Sequence, residues 1–408
     1  MEYIRFGDLY LMPSSNGLSR PSAVRGKGFR MIGMGELFAC NIIHDMNMER
    51  VLMNEKEQMK YFVQEGDLLF ARQSLVAAGA GKCSIVSCLS EQTTFESHII
   101  RVRLNKEICN PLYYFYLFQL PYNPIKAIVN QCAQAGIRGS ELCKIKVQKP
   151  SLRVQDSISC VLEKYDTLIE NNTKRIRLLE KMAENLYKEW FVRFRFPGHE
   201  RVEMENGLPK GWKYYRIEDL CAINRETIKI SNAPKDILYL DTGSVTRGKV
   251  SNVESLAFAD APSRARRIVR NNSIIYSTVR PNLQHYGILK NPPSNLLVST
   301  GFVVLDCKED IANVVYLALS HPTVYRYCSL IADCAVATYP SIKPKEIGKI
   351  CIALPKLSVC KKWNEEIESY YKMMNNFQHQ NSLLARQRDL LLPRLMSGKL
   401  EVKEELLE

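Results

Sequence analysis

The chain has 408 residues, 46% of them hydrophobic and 24% charged, a balance that calls for two or more globular domains and excludes a disordered polymer. Lys and Arg number 56 against 43 Asp and Glu, and the resulting charge of +13 favours a polyanionic partner, either nucleic acid or an acidic membrane face. No run of about 18 apolar residues is present to span a bilayer, and Met1-Glu2-Tyr3-Ile4-Arg5 has neither the basic nor the apolar part of a secretory leader. The 13 cysteines follow no regular spacing, so reduced thiols in a cytosolic protein are expected.

In chain order, the first predicted strand opens the run Tyr3-Ile4-Arg5-Phe6-Gly7-Asp8-Leu9, and a second lies in Asp67-Leu68-Leu69-Phe70-Ala71-Arg72. Gly79-Ala80-Gly81-Lys82-Cys83 imitates the end of a phosphate-binding loop. Val76 stands where that loop needs glycine and Cys83 where it needs Ser or Thr, so a flexible hairpin is expected instead. Lys144-Ile145-Lys146-Val147 followed by Pro150-Ser151-Leu152 closes the first half. A long helix follows, in which Ile158, Leu162, Tyr165, Ile169, Asn172, Ile176, Leu179, Ala183, Leu186 and Trp190 alternate by four and three, a heptad seam.

The second half repeats the first. Tyr214-Tyr215-Arg216-Ile217-Glu218-Asp219-Leu220 reproduces the opening motif 211 positions later. Ser273-Ile274-Ile275-Tyr276-Ser277-Thr278 reproduces the central strand, and Lys349-Ile350-Cys351-Ile352 with Pro355-Lys356-Leu357 reproduces the closing one at an offset of 205. A serine precedes each closing strand, Ser140 and Ser341. A second seam then runs through Trp363, Ile367, Tyr370, Met374, Phe377, Asn381 and Leu384. Matching offsets at separated places identify a tandem duplication with diverged halves.

The expected fold is α+β: two similar mixed α/β domains separated by two long antiparallel coiled-coil helices in a pseudo-two-fold repeat. The segments read as a first domain at 1–155, a helix at 156–195, a linker at 196–212, a second domain at 213–358, a second helix at 359–400 and a tail at 401–408. Ile169, Asn172, Ile176, Leu179, Leu186, Trp190 and Phe191 are expected to meet Tyr370, Phe377, Asn381 and Leu384, or a partner, along the seam. The two asparagines are expected within about a turn of each other, fixing register.

Several runs resemble the specificity subunits of type I restriction–modification systems. Leu178-Leu179-Glu180-Lys181-Met182-Ala183-Glu184-Asn185-Leu186-Tyr187-Lys188-Glu189-Trp190-Phe191-Val192 is similar to that family's central conserved region. Leu208-Pro209-Lys210-Gly211-Trp212 resembles the entry to its second target recognition domain, and Arg386-Gln387-Arg388-Asp389-Leu390-Leu391-Leu392-Pro393-Arg394-Leu395-Met396-Ser397-Gly398-Lys399-Leu400 its distal region. The resemblance implies a non-catalytic chain that reads a bipartite, asymmetric DNA target, one half-site per domain, with the helices as a ruler. It implies two modification subunits that methylate adenine with S-adenosylmethionine, restriction subunits using ATP and Mg, no cofactor on this chain, and a bacterial or archaeal cytoplasm. The short N-terminus leads us to expect that contacts some relatives make there are absent or built differently.

Charge and position nominate DNA-facing residues: Arg72, Arg138, Ser140, Lys144 and Lys146 in the first half, and Arg264, Arg266, Arg267, Arg270, Arg280, Tyr339, Ser341, Lys343, Lys345 and Lys349 in the second. Asn291-Pro292-Pro293-Ser294 lacks the aromatic that an amino-methyltransferase stacks on a flipped base, and is expected to be a turn. No CxxC pair or HExxH helix suggests a metal, and six scattered histidines suggest no triad. Two other classes remain open here. A stand-alone methyltransferase would bind S-adenosylmethionine by itself, and a coiled-coil protein that binds acidic partners would not distinguish duplex sequences.

Overall fold

A computed structural model describes residues 2–21, 25–74, 79–130, 135–229, 231, 233–307, 311–334 and 340–402. The chain divides into two compact units, one running to Asn172 and resuming at His379, the other Thr173–Gln378, so the division falls inside both long helices. The α+β class stands, with the two-fold repeat written into strand pairing. Among the described residues no helix is long and apolar enough to cross a membrane.

In the first unit, Tyr3–Arg5 pairs antiparallel with Lys146–Gln148, setting Ile4 opposite Val147. A five-stranded sheet runs in the order Tyr10–Asn16, Ile99–Leu104, Leu68–Ala71, Cys83–Val86, Ile42–Ile43. The central strand is buried at every position, as a strand covered on both faces must be. Helix Pro111–Gln119 covers it, started by Pro111 and by the Asn110 side chain, which accepts from the Leu112 N–H. Phe6, Phe70 and Phe118 pack edge to face beneath it at 5.0–6.3 Å between ring centres.

The second unit is built alike. Lys213–Arg216 pairs with Cys351–Leu354, Tyr215 opposite Ile352. A four-stranded sheet follows the order Cys221–Ile223, Phe302–Cys307, Ser273–Ser277, Tyr286–Leu289, and Ala312–Ser320 packs on it. A further sheet joins Glu254–Ala257, Asp236–Leu240, Leu296–Ser299 and Ala265–Ile268. Asn291-Pro292-Pro293-Ser294 is the turn between Tyr286–Leu289 and Leu296–Ser299, with Asn291 at φ 49°.

The first long helix spans Leu152–Tyr187 and passes into a π turn, Lys188–Val192, in which the consecutive Trp190 and Phe191 are both buried. The second spans Leu357–Met396 and continues past Pro393, which leaves the Asp389 carbonyl without its i+4 N–H donor close to the helix end. Every residue of both expected seams is buried or half-buried, while the other faces are largely exposed. Within the first unit Asp166 pairs with Arg388 and accepts from the Tyr116 hydroxyl at 2.7 Å. Asn172 donates to Gln380 at 3.2 Å, one residue before Asn381. Within the second unit Ile176, Leu179 and Met374 form one cluster and Tyr187 meets Trp363. In each unit residue numbers rise on one helix as they fall on the other, so the pairing is antiparallel.

Three expectations change. Residues 196–212 hold a short hairpin, Met204–Glu205 with Leu208–Pro209, and buried Trp212 stacks on Phe196 at 5.4 Å, because large aromatics at both ends draw the segment into the core. Cys221 and Cys307 are directly opposite across antiparallel strands, 4.2 Å between Cα atoms, and form a disulfide, a pairing that spacing could not show. In the glycine-rich run the described residues are packed rather than loose. Gly81 is buried against Ile125, and Lys82, its pKa lowered by burial, donates to the Phe38 carbonyl at 2.6 Å. Residues 75–78 lie outside the described set.

Lys290 ties the second unit to its helix. Its side chain is 7% exposed, and the ammonium donates to Asn272, Asn313 and Glu368 at 2.7–2.9 Å. Burial lowers the Lys290 pKa against the pull of Glu368; burial would raise Glu368, but the ammonium holds it below the usual carboxylate value. Removing one partner leaves the other charge buried and unpaired. Lys290→Ala is expected to destabilise the second unit by roughly 3–5 kcal/mol, read as a lowered denaturation midpoint with unchanged slope; a loss under about 1 kcal/mol would show the network to be solvent-relaxed.

Candidate nucleic-acid interface

In the first unit, Gln73–Ser74 pairs with Ala135–Gly136. The Arg72 N–H donates to His98 O at 2.8 Å, and the Ile137 N–H donates to Arg72 O at 2.9 Å. These bonds set half-buried Arg72 beside exposed Arg138, the residue that caps the short helix Gly139–Leu142. Ser140 and Lys144 are exposed on and just after that helix. Lys146, also exposed, lies directly opposite Arg5 on the paired strand. Like charges opposite one another cost stability, so the Arg5–Lys146 pair is better tolerated where an anion lies between them.

The second unit repeats this frame. The Thr278 N–H donates to Gly301 O at 2.9 Å, and the Ile342 N–H donates to Thr278 O at 2.8 Å. Lys343 caps the short helix Pro344–Gly348, and Lys343 and Lys345 are exposed. By these bonds Thr278 matches Arg72, Ile342 matches Ile137 and Lys343 matches Arg138. Ser140 therefore corresponds to Lys345, and Ser341, which bridges Val279, corresponds to Gly136. The two serines are not equivalents, although each precedes a closing strand; the strand pairing sets the register and proximity in sequence does not.

The arginines at 264–270 do not act as one cluster. Arg270 pairs with Glu226, Arg267 donates to the Thr227 hydroxyl at 3.1 Å, Arg266 lies 4.9 Å from the Phe258 ring centre, and Arg264 is 4.0 Å from Asp241. Burial lowers the Arg267 pKa. A sequence run of charge thus becomes four side chains with four different partners. Lys349 is likewise engaged, bonded to Glu346 at 2.8 Å, which raises its pKa. Arg280 is exposed at φ 47°, its N–H donating to Pro340 O at 2.9 Å. Tyr339 lies outside the described residues.

Of the seam residues, Asn172, Ile176, Leu179, Trp190 and Phe191 are buried, and Ile169, Leu186, Tyr370, Phe377, Asn381 and Leu384 half-buried, so they serve helix pairing and core within their units. Arg5 and its counterpart Arg216, both exposed and both carried by the repeated motif, lie outside the set that charge and position nominate. Gln73, bonded to His98 at 3.0 Å, is likewise outside that set, since a separation of 25 positions leaves no local signal. A cleft of about 490 Å³ in the first unit is lined by Glu65, Asp156, Glu163, Asp166 and Glu170 together with His44 and Lys106, a mainly acidic lining that favours phosphate less than the basic frame does.

Residues 34–181 match the family described as the type I restriction modification DNA specificity domain. The chain is 25% identical over 316 residues to the type I restriction enzyme MjaIX specificity subunit of Methanocaldococcus jannaschii, covering 72% of this chain and 69% of that one. It is 25% identical over 146 residues to the HindI specificity subunit of Haemophilus influenzae, 35% of this chain and 32% of that one. The crystal structure of a type I restriction–modification S subunit from M. genitalium shares the fold at a TM-score of 0.57 and 13% identity, over 97% of this chain and 95% of that one. Neutralising Arg138, Lys144 and Lys146 to Gln is expected to flatten the log–log salt dependence of duplex binding by about 2–3, measured by fluorescence anisotropy; an unchanged slope would remove this surface from the interface.

Proposed function

With the chain a member of the specificity-subunit family of type I restriction–modification systems, we propose that it reads a bipartite, asymmetric DNA target, one half-site per unit. As such it is a DNA-recognition component that works in a complex with other subunits and is not itself an enzyme. The observation that carries the bipartite reading is the doubled frame. The same backbone hydrogen bonds hold Arg72 and Arg138 in one unit and Thr278 and Lys343 in the other, with different side chains at matching places. Phosphate contacts from the exposed cations position a duplex without reading it, and neighbouring polar side chains discriminate base edges. Two unlike frames call for two unlike half-sites.

The finer assembly belongs to the same proposal. Two modification subunits dock on this chain, take S-adenosylmethionine and methylate one adenine in each half-site, while restriction subunits supply ATP- and Mg-dependent cleavage. This chain binds no cofactor and works in the cytoplasm, where its DNA is. The two long helices set the spacer. Leu152–Tyr187 has 36 residues, about 54 Å of helix at 1.5 Å per residue, and for both readers to approach one duplex face the half-sites lie near one helical turn apart centre to centre.

The test is long-read mapping of methylated adenine in cells that express this chain with its modification subunit. One bipartite motif with a fixed spacer, lost when the chain is omitted, is expected. Methylation that persists without the chain would refute the reading.

A further inference from the structure

One corner of the second unit carries three non-glycine residues in the left-handed region. Val245–Thr246 and Lys249–Val250 form a hairpin with a two-residue loop, Arg247-Gly248, at φ 47° and 78°. A loop with both residues left-handed favours Asn, Asp or Gly at its first position, and an arginine there gains nothing locally. Facing it is the turn Pro281–Leu283, flanked by Arg280 at φ 47° and Gln284 at φ 58°. Residues held in such conformations persist where surrounding structure enforces them, and they concentrate at binding sites.

The two loops are fastened to each other. The Arg247 N–H donates to Gln284 O at 3.0 Å, and Gly248 N–H donates to Tyr286 O at 2.7 Å. Pro281 is buried, and the turn packs on helix Pro322–Asp333. On this rigid base the Arg247 Nε donates to the Gln284 side-chain oxygen at 2.6 Å. Arg247 is exposed, and among the described residues its two terminal nitrogens and the Gln284 amide nitrogen have no partner. With the Gln284 oxygen turned toward the Arg247 Nε–H, the groups of the pair left to a ligand are mainly N–H donors. Guanine's major-groove edge presents two adjacent acceptors, N7 and O6, and no donor. Arg280, already a candidate contact, sits on the same turn.

We propose that Arg247 and Gln284 are base-reading residues of the second unit and that together they specify a guanine in its half-site. The proposal rests on the DNA-reading function given above, and deepens it to one position. Nothing in the local sequence links the two residues, which are 37 positions apart.

The experiment repeats methylation mapping with Arg247→Gly and Gln284→Asn, in the full chain with its modification subunit. Glycine and asparagine both accept the left-handed conformation, and asparagine is too short to reach Arg247. In both variants one G·C position of one half-site is expected to lose discrimination roughly ten- to a hundredfold, with the other half-site unchanged. An unaltered motif in both variants overturns the proposal. Methylation reduced evenly at every site overturns it too: with an unchanged melting temperature the pair would serve general backbone binding, and with a lowered one the fold alone. A wild-type chain that yields no bipartite motif would instead refute the underlying function, and that result is read before any variant is compared.

Discussion

The core of the first unit closes only when the last helix of the chain returns to it. Leu392, Leu395 and Met396 are buried with Ile158, Leu162 and the aromatic residues of helix Pro111–Gln119. The Asp166–Arg388 pair that accompanies them joins residues 222 positions apart. In the second unit Ala183, Trp190 and Phe191 share a core with Trp363 and Ile367. Closing so long a loop is less costly than it looks, since each doubling of loop length adds only about 0.6 kcal/mol. One buried Leu or Met side chain contributes roughly 1.5–3 kcal/mol. A few apolar anchors per helix therefore outweigh the entropy of distance, and each helix can serve two cores in one chain.

The basic character of the molecule depends less on its total of charges than on which of them already have partners. Asp67 is buried against Arg103 at 2.7 Å, Glu368 against Lys290, and Asp166 against Arg388. Glu91, bonded to Arg50 and close to Arg30, is held below the usual carboxylate value. Such pairs cancel locally, and exposed ones contribute no more than about 1 kcal/mol each. What they leave is an uneven surface. Arg5, Arg138, Lys144 and Lys146 stay exposed on one pair of strands and its adjoining helix, whereas the arginines at 264–270 are largely answered from within.

The same distinction explains what the sequence could and could not reveal. Seam residues from Ile158 to Trp190 and from Trp363 to Leu384 were legible because a helix writes its buried face at a fixed interval, and each of them is buried or half-buried. The repeat was legible at Ile4 and Tyr215 because a strand paired along its whole length tolerates few changes of pattern. That Ser140 and Ser341 are not equivalents, and that Cys221 pairs with Cys307 where the spacing implies separate thiols, has no local signal because cross-strand register is set by residues far apart. The segment 196–212 looked like a linker because its glycines and prolines speak locally, whereas Trp212 answers to Phe191 and Phe196.

What the two units share is backbone, and what separates them is side chain. The Gln64 N–H donates to the Asp67 carboxylate at 2.8 Å, and at the matching place the Arg270 N–H donates to the Ser273 hydroxyl at 2.9 Å. Asp67 then pairs with Arg103 across the sheet, whereas Ser273 donates to Asp306. The partner has changed from base to acid and the geometry has not. A buried polar group needs a partner but not a particular one, so such positions can diverge in pairs while the fold persists. Exposed positions on the frame carry no such obligation and are free to differ singly, as Ser140 and Lys345 do. A duplicated frame that relaxes this way keeps one backbone and acquires two different surfaces, which is what the proposed asymmetric target requires.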